Sequence, residues 1–278
     1  MKSNDFFCRS GNTPQTHEIS IDERRIILLE ILKYIDNQCE KNGITYYIAY
    51  GSLLGTVRHK GFIPWDDDID IWVPICDYKK LLSVIERDNK YDVLNNIKDK
   101  DYYLNFAKIS DKRTLLIDKK ASNFTYKNST QRGIAIDIFP LFDVDNNKIE
   151  KIEKLVKQRS RYFKFEHEYY HGIRKLILGF GELIGRNEKK YREEILLTEN
   201  VQSDSGTIGC SVSPYGRKEI FRQEWFSSTI KCEFENMKVS VPCGYDSILT
   251  TLYGDYMSLP PEEKRKVLAH NVKAVYIK

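Results

Sequence analysis

Apolar residues at Ile27, Ile31 and Tyr34, flanked by Leu28, Leu32 and Ile35, return every three or four positions. That is the spacing of one broad helix face. Ser20 and Glu23 form a Ser-x-x-Glu capping box ahead of the run, and Asn42-Gly43 follows it, so the pattern predicts a helix between them. The β-branched and aromatic run 44–50 predicts a strand that meets Gly51-Ser52 abruptly. A short helical patch at 53–57, the polar loop Arg58-His59-Lys60-Gly61 and a second strand over 68–73 come next. Tyr78, Leu81, Leu82 and Ile85 then predict a helix over 77–87. Strand-like runs appear at 102–109, 113–118 and 133–139; in the last, Ile134, Ile136 and Ile138 alternate with Ala135 and Asp137. Residues 148–200 are helix-compatible almost throughout, with breaks near Gly172 and Gly185. Strand-like pieces return at 207–212 and 229–241, and a last helix is predicted over 245–253. Helix, strand, strand, helix and further strands predict an α+β fold with a mixed β-sheet core and a helical lobe, not the regular β-α-β repeat of a dinucleotide fold. The predicted organisation is a loose arm over 1–19, an α+β core over 20–145, and a helical lobe with a C-terminal segment over 146–278.

Composition changes this picture little. The chain has 278 residues, enough for a core that needs no staples, and a net charge of +4. A charge that weak excludes a histone-like nucleic-acid binder but allows a site for one phosphorylated substrate. The six cysteines (8, 39, 76, 210, 232 and 243) are scattered, with no Cys-x-x-Cys pair, which argues against a zinc finger or a disulfide scaffold. Thiols of this kind, with no apolar leader at the N-terminus and no long apolar run, predict a cytoplasmic protein, at most resting on the inner face of the plasma membrane.

The densest chemical signal is Tyr50-Gly51-Ser52 followed by Trp65-Asp66-Asp67-Asp68-Ile69-Asp70-Ile71-Trp72. On a strand, Asp66, Asp68 and Asp70 would share one face, with Ile69, Ile71 and Val73 turned into the core. Carboxylates so close repel one another unless a hard cation neutralises them, and oxygen ligands suit Mg²⁺ or Mn²⁺. Asp137, flanked by isoleucines, is expected in the sheet facing the same cleft. Gly51-Ser52 offers close backbone approach and amide hydrogens for a phosphate.

Gly-Ser, then h-Asp-h-Asp-h, then a distant h-Asp-h resembles the nucleotidyltransferase fold, as in DNA polymerase β and the aminoglycoside nucleotidyltransferases. The whole stretch from Tyr50 to Asp70 closely resembles the signature of the LicD family, which includes bacterial phosphocholine transferases and fukutin-type proteins. Asp137-Ile138-Phe139-Pro140 and Leu252-Tyr253-Gly254-Asp255-Tyr256-Met257 extend the resemblance; 148–225 does not. The resemblance implies metal-dependent transfer of a phospho-alcohol, phosphocholine first, from a CDP-linked donor such as CDP-choline to a sugar hydroxyl of a glycan or lipid-linked acceptor. Teichoic acid or lipopolysaccharide would be the modified glycan. It implies Asp68 and Asp70 as the metal pair with Asp66 beside them, and Asp137 as a further metal ligand or general base.

Cations should complete the site. Arg58 is the first choice for a phosphate clamp, because its planar fork suits phosphate oxygens. Lys108, alternating with apolar neighbours, either snorkels to an edge or reaches the donor. Trp65, Trp72, Tyr46, Tyr47, Tyr50, Tyr169 and Tyr170 could cage a quaternary ammonium, though aromatics so placed are more often core. The lobe carries thirteen Lys or Arg against six Asp or Glu between residues 148 and 192. Within it, 173–186 reads either as an amphipathic core helix or as a peripheral membrane contact. Two other functions fit the same residues: transfer of a nucleotide from an NTP to a small hydroxyl compound, or non-catalytic binding of a nucleotide or glycan.

Overall fold

The computed structural model describes residues 17–95, 102, 104–118, 133–144, 149–166, 172–187, 189–191, 206–210, 216–265 and 272–277. His167, Tyr169, Tyr170, His171, His270, Cys8 and most of the expected N-terminal arm lie outside them. Helix α1 (Ile21–Asn42) opens on the reciprocal Ser20–Glu23 capping box and closes at Gly43 in the left-handed conformation, with φ 58°. Its inward face is the predicted one, with Ile27, Leu28, Ile31, Leu32, Tyr34 and Ile35 buried.

The predicted strand over 44–50 is shorter, because β1 comprises only Tyr47–Ile48 and α2 (Tyr50–His59) begins at Tyr50. Tyr50 has φ 45°, a costly conformation for a bulky side chain. Packing over-determines it: the ring lies edge-on to Trp72 and Phe139, at 4.8 and 5.0 Å, and the hydroxyl donates to Glu219 at 2.9 Å. Arg58 and His59, expected in a loop, form the last turn of α2, which ends at Lys60 with φ 60°. Strand β2 (Asp70–Pro74) starts two residues later than predicted, so Asp66 and Asp68 precede the strand.

Helix α3 (Ile75–Asp88) follows, then β3 (Asp92–Leu94), β4 (Ala107–Ser110), β5 (Thr114–Asp118) and β6 (Ala135–Asp143). Helices α4 (Ile149–Glu166) and α5 (Ile173–Leu183) make the lobe, broken at Gly172 as its left-handed φ of 61° demands. The chain continues through β7 (Thr207–Gly209), β8 (Ile220–Arg222), the hairpin β9 (Thr229–Phe234) and β10 (Met237–Pro242), α6 (Tyr245–Tyr253) and β11 (Val272–Tyr276).

The sheet is mixed, as expected of an α+β fold. Strands lie in the order β1-β2-β6-β4-β3, with β7 and β8 added through β6. The β2–β6 pair is parallel and the others are antiparallel. Ile69, Ile71, Ile136, Ile138, Ala107 and Ile109 are fully buried, which fixes the register because a one-residue slip would invert every side chain. Ile19 donates its amide to Ala274, and Glu18 bridges to Val275, so the end of the expected arm is joined to β11. The core-helix reading of the 173–184 stretch is overturned: its large apolar side chains face solvent, Leu176 with 74% and Leu183 with 85% of their surface exposed.

Candidate active site

Three polar side chains stand in one row across the sheet. Asp70 on β2 is the register partner of Asp137 on β6, and Asp137 is the register partner of Lys108 on β4. Directly opposed residues on neighbouring strands project to the same face, so the two carboxylates and the ammonium share a surface. Lys108 Nζ donates to Asp137 Oδ1 at 2.5 Å. Lys108, read from the sequence as snorkelling to an edge or reaching the donor, is paired with a carboxylate of the acidic row. Asp70 sits among negative charges. Burial first, then the charges of Asp68, Asp137 and Asp66, raise its carboxyl well above the usual range, against the opposing pull of Lys108.

Backbone contacts set this row against the start of α2. The Asp70 amide donates to Ser52 Oγ at 3.0 Å, the Ala49 amide donates to the Asp70 carbonyl at 2.9 Å, and the Asp137 amide donates to the Ile69 carbonyl at 3.1 Å. Gly51 leaves room for the acidic loop: a Cβ on it would stand 2.8 Å from Asp66 Oδ2 and push that carboxylate aside. The structure therefore brings Gly51, Ser52, Asp66, Asp70, Asp137 and Lys108 together, with the charge of Asp68 acting on Asp70.

Among the described residues, no three acidic, histidine or cysteine side chains converge into a ready-made metal cage. The donor set fits Mg²⁺ all the same, because that ion takes one or two carboxylates and fills its shell with substrate phosphates and water. Asp70, crowded by like charges, is the group whose burial such a cation would relieve.

Arg58, the expected phosphate clamp, is bonded to the C-terminal segment. Its Nη1 donates to the carbonyls of Tyr256 and Ser258, at 2.6 and 3.4 Å, and its Nε to His59 Nε2 at 3.0 Å. Burial lowers the pKa of both side chains, the Arg58 charge adding to the effect on His59. Arg58 thereby ties the first signature motif to the C-terminal one. Among the described residues, the expected rings do not assemble an aromatic cage. Tyr46, Tyr47, Tyr50 and Trp72 are core, with the Tyr47 hydroxyl on the Phe226 carbonyl and the Tyr46 hydroxyl on Asp36. Trp65 alone of the described set is half-exposed, edge-on to His59.

A family model described as LicD/FKTN/FKRP, nucleotidyltransferase domain, matches residues 43–179. The lipopolysaccharide cholinephosphotransferase LicD of Haemophilus influenzae is 30% identical over 275 residues, covering 94% of this chain and 99% of its own. The chain belongs to the LicD family. An uncharacterised protein of Rickettsia typhi is 33% identical over 125 residues, 41% of this chain and 40% of its own. Human ribitol 5-phosphate transferase FKRP is 40% identical over 50 residues, 18% of this chain and 10% of its own.

In this LicD-family chain, the residues that sequence reasoning missed are those that hold the acidic loop. Arg24 Nη1 pairs with Asp67 Oδ2 at 2.6 Å, both side chains being nearly buried. Arg25 donates to the carbonyls of Ile63, Pro64 and Asp66. From the other side, Glu235 at the β9–β10 turn accepts from the Phe62 amide and donates its own amide to Lys60. The adjacent arginines at the first turns of α1 were the available signal, since cations near a helix N-terminus oppose the dipole and need another reason to be there.

Proposed function

We propose that this LicD-type transferase moves a phospho-alcohol, phosphocholine first, from a CDP-linked donor to a sugar hydroxyl of a surface-glycan precursor. The observation that carries the reading is the row Asp70–Asp137–Lys108 beside the Gly51-Ser52 helix start, in a chain similar along nearly its whole length to a cholinephosphotransferase. Transfer at phosphorus depends on positioning and charge neutralisation more than on covalent help from the protein. Asp68 and Asp70, with Asp66 beside them, would hold Mg²⁺ or Mn²⁺. The ion would supply neutralisation of the donor phosphates and polarisation of the acceptor hydroxyl.

The remaining work belongs to side chains and amides. The amides of Gly51 and Ser52, in the first turn of α2, would receive a donor phosphate. Asp137 takes the acceptor hydroxyl proton as that oxygen bonds to phosphorus; the bond from phosphorus to the CMP oxygen breaks, and CMP leaves. Lys108 holds the Asp137 carboxylate by one oxygen and presents positive charge to the donor. Asp67, gripped by Arg24, fixes the loop that carries Asp66 and Asp68.

The test is CMP release with Mg²⁺ from CDP-choline, CDP-ethanolamine, CDP-ribitol and CDP-glycerol, alongside thermal shifts with CTP and ATP. Stabilisation by a CDP-alcohol and loss of turnover in Asp68→Ala and Asp70→Ala are expected. Stabilisation by ATP alone would overturn the reading in favour of nucleotide transfer.

A further inference from the structure

Helix α5 carries Ile173, Leu176, Ile177, Phe180 and Leu183, continued by Ile184 just past its end. Spaced by three, one, three, three and one, they form a single stripe along one face. Every one of them is more than half exposed. The helix touches the rest of the protein by another side, where Gly181 lies against the Tyr162 hydroxyl of α4. An apolar stripe of this length on an exposed helix is a surface that something covers.

Charge decides what covers it. Among the described residues of 172–191, Lys175, Arg186, Lys189 and Lys190 are exposed, against the single acid Glu182. A second copy seated symmetrically on the stripe would bring these cations towards their own equivalents. An anionic surface would complement them. The helix, at about 1.5 Å per residue, is roughly 17 Å long, and no helix among the described residues is long and apolar enough to cross a membrane.

We propose that α5 and the basic residues after it form a docking face for an anionic lipid bilayer, lying in the interface with the stripe towards the acyl chains. The cations flanking it meet lipid phosphates. The inference is independent of the reaction proposed above and would bring the active site to a surface where lipid-linked acceptors reside.

The experiment is co-sedimentation of the full chain with vesicles of phosphatidylglycerol and phosphatidylcholine in equal parts, and with phosphatidylcholine alone, with no donor or acceptor present. Binding to the anionic vesicles only is expected. Leu176→Ser/Phe180→Ser should weaken it by about tenfold or more. Lys189→Glu/Lys190→Glu should do so by about tenfold, as should added salt. A wild-type chain that ignores both vesicle types, or a Leu176→Ser/Phe180→Ser chain that binds like wild type, overturns the proposal. So does a wild-type dimer, measured by sedimentation velocity, that the same substitutions dissociate. Activity on a soluble acceptor, unchanged in these variants, keeps this outcome separate from that of the proposed reaction.

Discussion

Replacing Arg24 by alanine removes the guanidinium that holds Asp67, in a pair 2.6 Å apart with 13% of one side chain and 3% of the other exposed. Two unit charges about 4 Å apart attract by about 4 kcal/mol at an effective dielectric constant of about 20. Removing one partner of so buried a pair costs about 3–5 kcal/mol, because the other charge stays out of water. Asp67 has further contacts and Arg24 keeps some solvent, so the lower end, about 3 kcal/mol, applies. For a chain of this size that is a fall in Tm of about 6–12 °C. Circular dichroism melts of wild type, Arg24→Ala, Asp67→Asn and the double variant measure it, and the double variant should lose less than the two single losses added. CMP release well below Tm should fall further than the unfolded fraction explains, since the loop carries Asp66 and Asp68. A fall in Tm under about 2 °C, or strict additivity, would refute the reasoning that this pair anchors the acidic loop.

The Asp70 carboxyl is raised in the folded protein, so its favourable contribution is complete below the unfolded carboxylate pKa and is lost as pH rises through the raised value. In a chelating buffer, wild type should lose Tm over that climb and Asp70→Asn should lose less; parallel curves would sink the assignment. Gly55→Ala should destabilise by about 2 kcal/mol or more, because the new methyl would collide with the Gly61 carbonyl, a backbone atom that cannot swing away; an unchanged urea midpoint would contradict this. Hydrogen bonds from Ser227 and Ser228 lower the Cys243 thiol to about 7, whereas burial, followed by the charges of Asp36 and Asp77, pushes Cys39 up to about 12. Iodoacetamide at neutral pH should therefore alkylate Cys243 well before Cys39, and mass spectrometry showing equal rates would count against those environments.

Local signals survived folding where the contacts that enforce them are local. The Ser20–Glu23 box, Gly43 and Gly172 act within a few residues, and α1 and the lobe break are where the sequence puts them. The helix over 245–253 is observed with the same bounds. The strand over 44–50 was misjudged because its β-branched and aromatic residues are core for a different reason: Tyr50 starts a helix, held by Trp72, Phe139 and Glu219. Asp70 and Asp137 were legible as strand positions because their apolar flanks declare a sheet, whereas Asp66 and Asp68, expected on the same strand, precede it. The supports of the acidic loop were not legible. Arg24, Arg25 and Glu235 reach the loop from elements distant in sequence, and no periodicity encodes such a meeting. The stripe on α5 was legible as amphipathic, but a pattern alone does not say whether protein or solvent lies opposite.

The parallel pairing of Asp70 with Asp137 makes the site a product of long-range assembly. Parallel strands cannot be joined by a tight turn, and the loop closure between them is costly before any contact rewards it. No fragment ending before β6 contains both carboxylates, and a chain that paired them one residue out of step would set isoleucine beside Asp70. Catalytic competence should thus appear late in refolding, after helix content has recovered. Turnover is in that sense a proofreading signal for the completed sheet.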